Sequence, residues 1–135
     1  MDVLRRKAMV ANREFNAMAK PLLDDYSLLG GLFQVFADML ADRAGWRSNP
    51  YKVYNRKKFL MVVLYLYSPK TLVGGKMRGG LRNRLSDVFG MNSRTVVSDN
   101  CGDVCYLFSI YADFRADVML FYRLASDFIA KSCKG

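Results

Sequence analysis

The chain has 135 residues, a length that suits one domain with a core of its own. Apolar residues make up 52% of it, too many for a disordered chain. It carries a net charge of +9 and no histidine, so the commonest general base and metal ligand is missing and catalysis is not expected.

Residues 1–20 mix charge throughout and hold no apolar signal core. Apolar positions at Val3, Leu4, Ala8, Ala11, Phe15 and Met18 recur every three or four residues and predict a helix over Val3–Ala19. A second helical stretch is predicted over Tyr26–Ala44, where Leu28, Leu29, Leu32, Phe33, Phe36, Met39 and Leu40 share a stripe and Gly45 is a natural stop. Trp46–Asn55 reads as a loop-like join. Arg56–Tyr67 is apolar and β-branched enough for a strand, but its length and its helical surroundings favour a buried helix, ended by Ser68-Pro69. Its strongly apolar part, Phe59–Tyr67, is nine residues, against the twenty or so that a membrane helix needs. Lys70–Gly80 contains four glycines and reads as a flexible connector. Leu81–Phe89 is a short helix broken by Gly90, and Ser93 is a good N-cap for another. From Gly102 to Lys131 an aromatic stripe (Val104, Leu107, Phe108, Tyr111, Phe114, Val118, Phe121, Tyr122, Ala125, Phe128, Ile129) predicts one long amphipathic helix of about eight turns. The expectation is an all-α, single-domain helical bundle, soluble and cytoplasmic.

The charge is concentrated. Eleven basic residues lie between Arg47 and Arg94, with Asp87 the one acid, so this segment carries +10 and the remainder −1. A solubility charge is usually mixed and spread, whereas concentrated charge points to a polyanionic partner. Three cysteines, Cys101, Cys105 and Cys133, are too few for a zinc site without histidine and odd for a disulfide framework. Buried, reduced thiols are expected. The stretch VGGKMRGG lacks the spacing of a phosphate-binding Walker loop, since Met77 follows Lys76.

The segment Arg82–Asn100, RNRLSDVFGMNSRTVVSDN, resembles a helix-turn-helix. Leu85 and Phe89 supply the apolar face of the first helix, Ser86 takes its small position and Gly90 sits at the turn. Met91 packs the turn inward, and Val96 falls where the second helix meets the first. Asp99 departs from the pattern, which expects an apolar residue there. The resemblance implies a DNA-binding regulator. Its second helix would offer Ser93, Arg94, Thr95 and Ser98 to base edges and phosphates in the major groove. Lys70, Lys76, Arg78, Arg82 and Arg84 would cross the phosphate backbone, with Arg56, Lys57 and Lys58 on the preceding helix adding to the basic surface.

Double-stranded DNA is therefore the expected partner, with a homodimer as an open question and no cofactor, metal, membrane or small-molecule substrate expected. Two alternatives stand beside this. The long aromatic C-terminal helix suits a structural or adaptor protein that oligomerises or binds a protein. Tyr51, Tyr54, Tyr65 and Tyr67 amid cations suit stacking on RNA bases, although core packing is the plainer role for them.

Overall fold

The computed structural model describes residues 21–91 and 94–133, and for residues 94–96 and 133 the backbone alone. Six α-helices lie within that range: α1 (Leu29–Leu40), α2 (Val53–Tyr67), α3 (Leu81–Val88), α4 (Arg94–Cys101), α5 (Val104–Ile110) and α6 (Ala112–Cys133). Short 3-10 segments at Tyr26–Leu28, Gly45–Ser48 and Pro69–Val73 join them. No strand occurs among the described residues, and the fold is all-α. The helix expected over Val3–Ala19 lies outside the described residues.

The central helix is α2. Phe59, Leu60, Val62, Val63, Leu64, Leu66 and Tyr67 are all buried, so it is apolar all round from its second turn onward. Such a helix has no polar face to set a period. It packs against α4, α5, α6 and the Pro69–Val73 turn. Ser68, with φ −151° and ψ 64°, ends it before Pro69.

An aromatic cluster ties four parts of the chain together. Phe33 and Phe36 from α1 meet Phe59 from α2, with ring centroids 5.1 and 5.6 Å apart. Phe121 from α6 stacks on Phe59 at 5.5 Å, and Phe89, just after α3, meets Phe33 at 5.6 Å. Offset and edge-on rings at these distances add to the burial of their area.

Three expectations need correction. The stretch Tyr26–Ala44 is helical over a shorter span: a 3-10 turn capped by the Asp25 carboxylate precedes α1, and the helix ends at Leu40. The single helix expected over Gly102–Lys131 is two helices, broken at Tyr111 (φ −103°, ψ 114°). The break lets α5 fold back on α6, so that Val104 and Leu107 of one and Phe114, Phe121 and Ala125 of the other reach the same core. Tyr111, counted in the stripe, is 46% exposed. The Arg115 guanidinium donates to the carbonyls of Phe108 and Ser109, at 3.0 and 3.3 Å, and so satisfies groups the break would leave open.

The third correction concerns Lys70–Gly80, which is pinned and not a free connector. Its first part is the Pro69–Val73 turn, closed by Gly74 at φ +91°. Farther on, the Arg78 amide donates to Ser68 Oγ (3.0 Å), its guanidinium to the Leu23 carbonyl (2.7 Å), and the Tyr26 hydroxyl to the Gly79 carbonyl (2.8 Å). The loop is thereby held beside the start of α3.

Candidate nucleic-acid interface

The segment formed by α3, its following turn and α4 begins with α3. Leu81 and Leu85 are fully buried, Phe89 nearly so, and Ser86 is 5% exposed. Ser86 is small enough to sit inside, and its hydroxyl has no hydrogen-bond partner. Gly90 turns the chain with φ +66°, a conformation that favours glycine. The Gly90 amide donates to the Asp87 carbonyl (3.0 Å) and the Met91 amide to the Ser86 carbonyl (2.9 Å). These two bonds are the Schellman motif, which satisfies the last carbonyls of a helix.

Along α4 the inward positions are Val97, Asn100 and Cys101, spaced as one helical face, and Asp99 is exposed. The side chain of Val96, which the sequence pattern places where the second helix meets the first, lies outside the described residues. Asp99, the acid that departs from the pattern, faces water. Ser98 is half-buried. Ser93 lies outside the described residues, and Arg94 and Thr95 form the first turn of α4, of which the backbone alone is described.

The basic segment divides into an inner and an outer set. Arg56 is 8% exposed, donates to the Tyr51 carbonyl at 2.8 Å and lies 6.0 Å from the Phe89 ring. Its burial lowers its pKa from the usual arginine value. Lys58 is 4% exposed, and its ammonium donates to Asp117 Oδ2 (2.7 Å) and Asn55 Oδ1 (3.1 Å). Arg43 donates to the same Asp117 oxygen at 2.6 Å. Burial pushes the Asp117 carboxyl up, but these two cations outweigh it and hold the group below its ordinary value. Half-buried Lys57 pairs with Asp103 at 3.0 Å, and Arg78 is occupied by carbonyls as described above. Arg56, Lys57, Lys58 and Arg78, expected from the sequence on the nucleic-acid surface, each have a partner within the protein. The acidic partners of Lys57 and Lys58 come from residues 103 and 117, beyond the basic segment, whereas Arg56 and Arg78 are held by backbone carbonyls.

The outer set is Lys70, Lys76, Arg82 and Arg84, all exposed. None of them forms an ion pair among the described residues. Lys76 and Arg82 share a cleft of about 220 Å³ with Gly74, Gly75, Ser98 and Cys101. Burial pushes the Cys101 thiol up to about 12, with the Arg82 charge pulling the other way, so Cys101 stays a thiol at neutral pH. Two more exposed cations, Arg47 and Lys52, stand with Trp46 and Tyr51, which are 46% and 50% exposed. The Arg47 guanidinium lies 5.4 Å from the Trp46 ring. Their place in a join between helices was the one sequence signal for this exposed aromatic and basic patch.

Among the described residues, no group of three or more cysteine or acidic side chains is brought together to hold a metal. No described helix is long and apolar enough to cross a membrane. No protein-family model, curated protein or solved structure matches the chain.

Proposed function

We propose that this protein binds nucleic acid, duplex DNA in particular, as a non-catalytic cytoplasmic regulator, through the exposed cations that border the α3–turn–α4 segment. The observation that carries this reading is the division of the basic segment. Four cations close on internal partners, while Lys70, Lys76, Arg82 and Arg84 remain exposed without an ion pair among the described residues. Unpaired like charges repel one another, and a polyanion relieves that repulsion. The first turn of α3 adds to it. It carries Arg82 and Arg84 and no acid, the arrangement the helix dipole disfavours in the absence of a bound anion.

In this reading α4 enters the major groove, with Ser93, Arg94, Thr95 and Ser98 toward base edges, as the helix-turn-helix resemblance implies. Replacing Arg94 and Ser98 together by alanine is expected to narrow the affinity gap between preferred and random duplex, by roughly tenfold or more. A double variant that discriminates as the wild type does removes α4 from base reading.

A second reading is self-association through α6, favoured by an apolar groove of about 300 Å³ lined by Met61, Tyr65, Phe108, Val118, Met119 and Tyr122. Met119 and Leu120 beside it are 53% and 37% exposed. Sedimentation with and without duplex separates the two: an oligomer that ignores DNA favours an adaptor, and one that forms on DNA favours a dimeric regulator.

A further inference from the structure

The cleft beside the glycine-rich loop is built from three separate elements. Lys76 enters it from the loop, Arg82 from α3, and Ser98 and Cys101 from α4. No carboxylate lines it. Neither Lys76 nor Arg82 has an ion pair among the described residues, and the Arg82 charge acts on the Cys101 sulfur in the cleft wall. Among the described residues, the backbone N–H groups of Lys76 and Met77 make no backbone hydrogen bond: the preceding turn closes on Gly74 and Gly75, and the next amide that is held is that of Arg78. The loop is fixed by the bonds from Arg78 and Tyr26, so its position beside α3 does not depend on a ligand.

Two cations in one cleft with no acid in its lining, beside a loop whose Lys76 and Met77 amides have no backbone partner among the described residues, suit a tetrahedral oxyanion. Arginine presents a fork that matches two phosphate oxygens, and lysine adds a point charge. We propose that this cleft holds a single phosphate group, shared by Lys76 and Arg82 and supplied by a nucleic-acid strand lying across α3 and α4. The strand as the source rests on the nucleic-acid reading above. The phosphate chemistry does not, since free inorganic phosphate would meet the same donors.

Two measurements distinguish the sources. In the first, inorganic phosphate is titrated into the isotope-labelled full chain, and amide shifts are followed at Lys76, Met77 and Gly102. Saturable shifts are expected in the wild type and their loss in Lys76→Ala/Arg82→Ala. Wild-type amides that do not move overturn the cleft as a phosphate site. In the second, duplex affinity is measured over a salt series. One phosphate contributes about 0.9 to the slope of log affinity against log salt, so the double variant should lose about 0.9. A loss of about 1.8 means the two cations meet separate phosphates, and no loss means the strand bypasses the cleft. Either result overturns the shared site while leaving duplex binding intact. A wild type that binds no duplex defeats the nucleic-acid reading instead, and the phosphate titration then decides the cleft by itself. The charge-preserving variant Lys76→Arg/Arg82→Lys, checked for its helical content, should keep the wild-type slope and so separates lost charge from lost fold.

Discussion

Asp117 is the residue on which the interior charges converge. It accepts from Arg43 and Lys58 at 2.6 and 2.7 Å, and the Lys58 side chain is 5% exposed. Removing one partner of a buried pair leaves the other without compensation, a loss of about 3 kcal/mol. Asp117→Asn should therefore lower stability by about that amount in urea denaturation, and a loss below about 1 kcal/mol would reduce the pair to an ordinary surface contact. The folded-state pKa of Asp117 is depressed, so its stabilisation is fully present above the unfolded carboxyl value of about 3.9 and is lost as pH falls through the folded value. Stability measured down that acid range should fall less steeply in Asp117→Asn than in the wild type. Ser86 predicts a change of opposite sign. Its hydroxyl is buried without a partner, and Ser86→Ala removes that unmet group while keeping the small side chain. A gain of about 1 kcal/mol is expected. A loss would mean that the hydroxyl has a hydrogen-bonding role in solution.

At the scale of elements, the turn after α3 is the part most tightly specified by a single residue. A Cβ at Gly90 would meet nothing within 4 Å, so Gly90→Ala costs only the backbone conformation, about 1 kcal/mol, and Gly90→Asn should cost less. Equal losses for the two variants would point to a steric clash instead. This turn was legible in the sequence because glycine is the residue such a φ requires and because Leu81, Leu85 and Phe89 carry helical spacing. The inner face of α4 was legible only in part. Asn100 is polar, so its residue type did not place it with Val97 and Cys101 on the inward face. The break at Tyr111 was hidden for a related reason. The apolar stripe runs through it unbroken, and the break is made by α5 folding back on α6, with no proline or glycine to mark it. For α2 the sequence left helix and strand close together because the element is apolar on every side, which erases either period.

Across the whole molecule, charge was legible in sign and not in place. The count over residues 47–94 treats every cation as available. Yet Lys57 and Lys58 pair with Asp103 and Asp117, which lie 46 and 59 residues further along the chain. A linear count cannot see partners brought in by folding, so the inner cations were read as surface. The outer set, with exposed Arg47 and Lys52, is what remains among the described side chains to meet a polyanion. Exposed cations on α6, such as Arg123 and Lys131, lie outside that set and serve as controls. The most direct test of the central claim is fluorescence anisotropy of a labelled duplex over a salt series. With Lys70, the Lys76–Arg82 cleft and Arg84 each meeting a phosphate, the slope of log affinity against log salt should be about −3 or steeper. Lys70→Ala/Arg84→Ala should flatten it by about 2, and Arg123→Ala/Lys131→Ala should leave it unchanged. Binding that does not respond to salt, or no binding below about 0.1 M salt where screening is weak, would contradict the account.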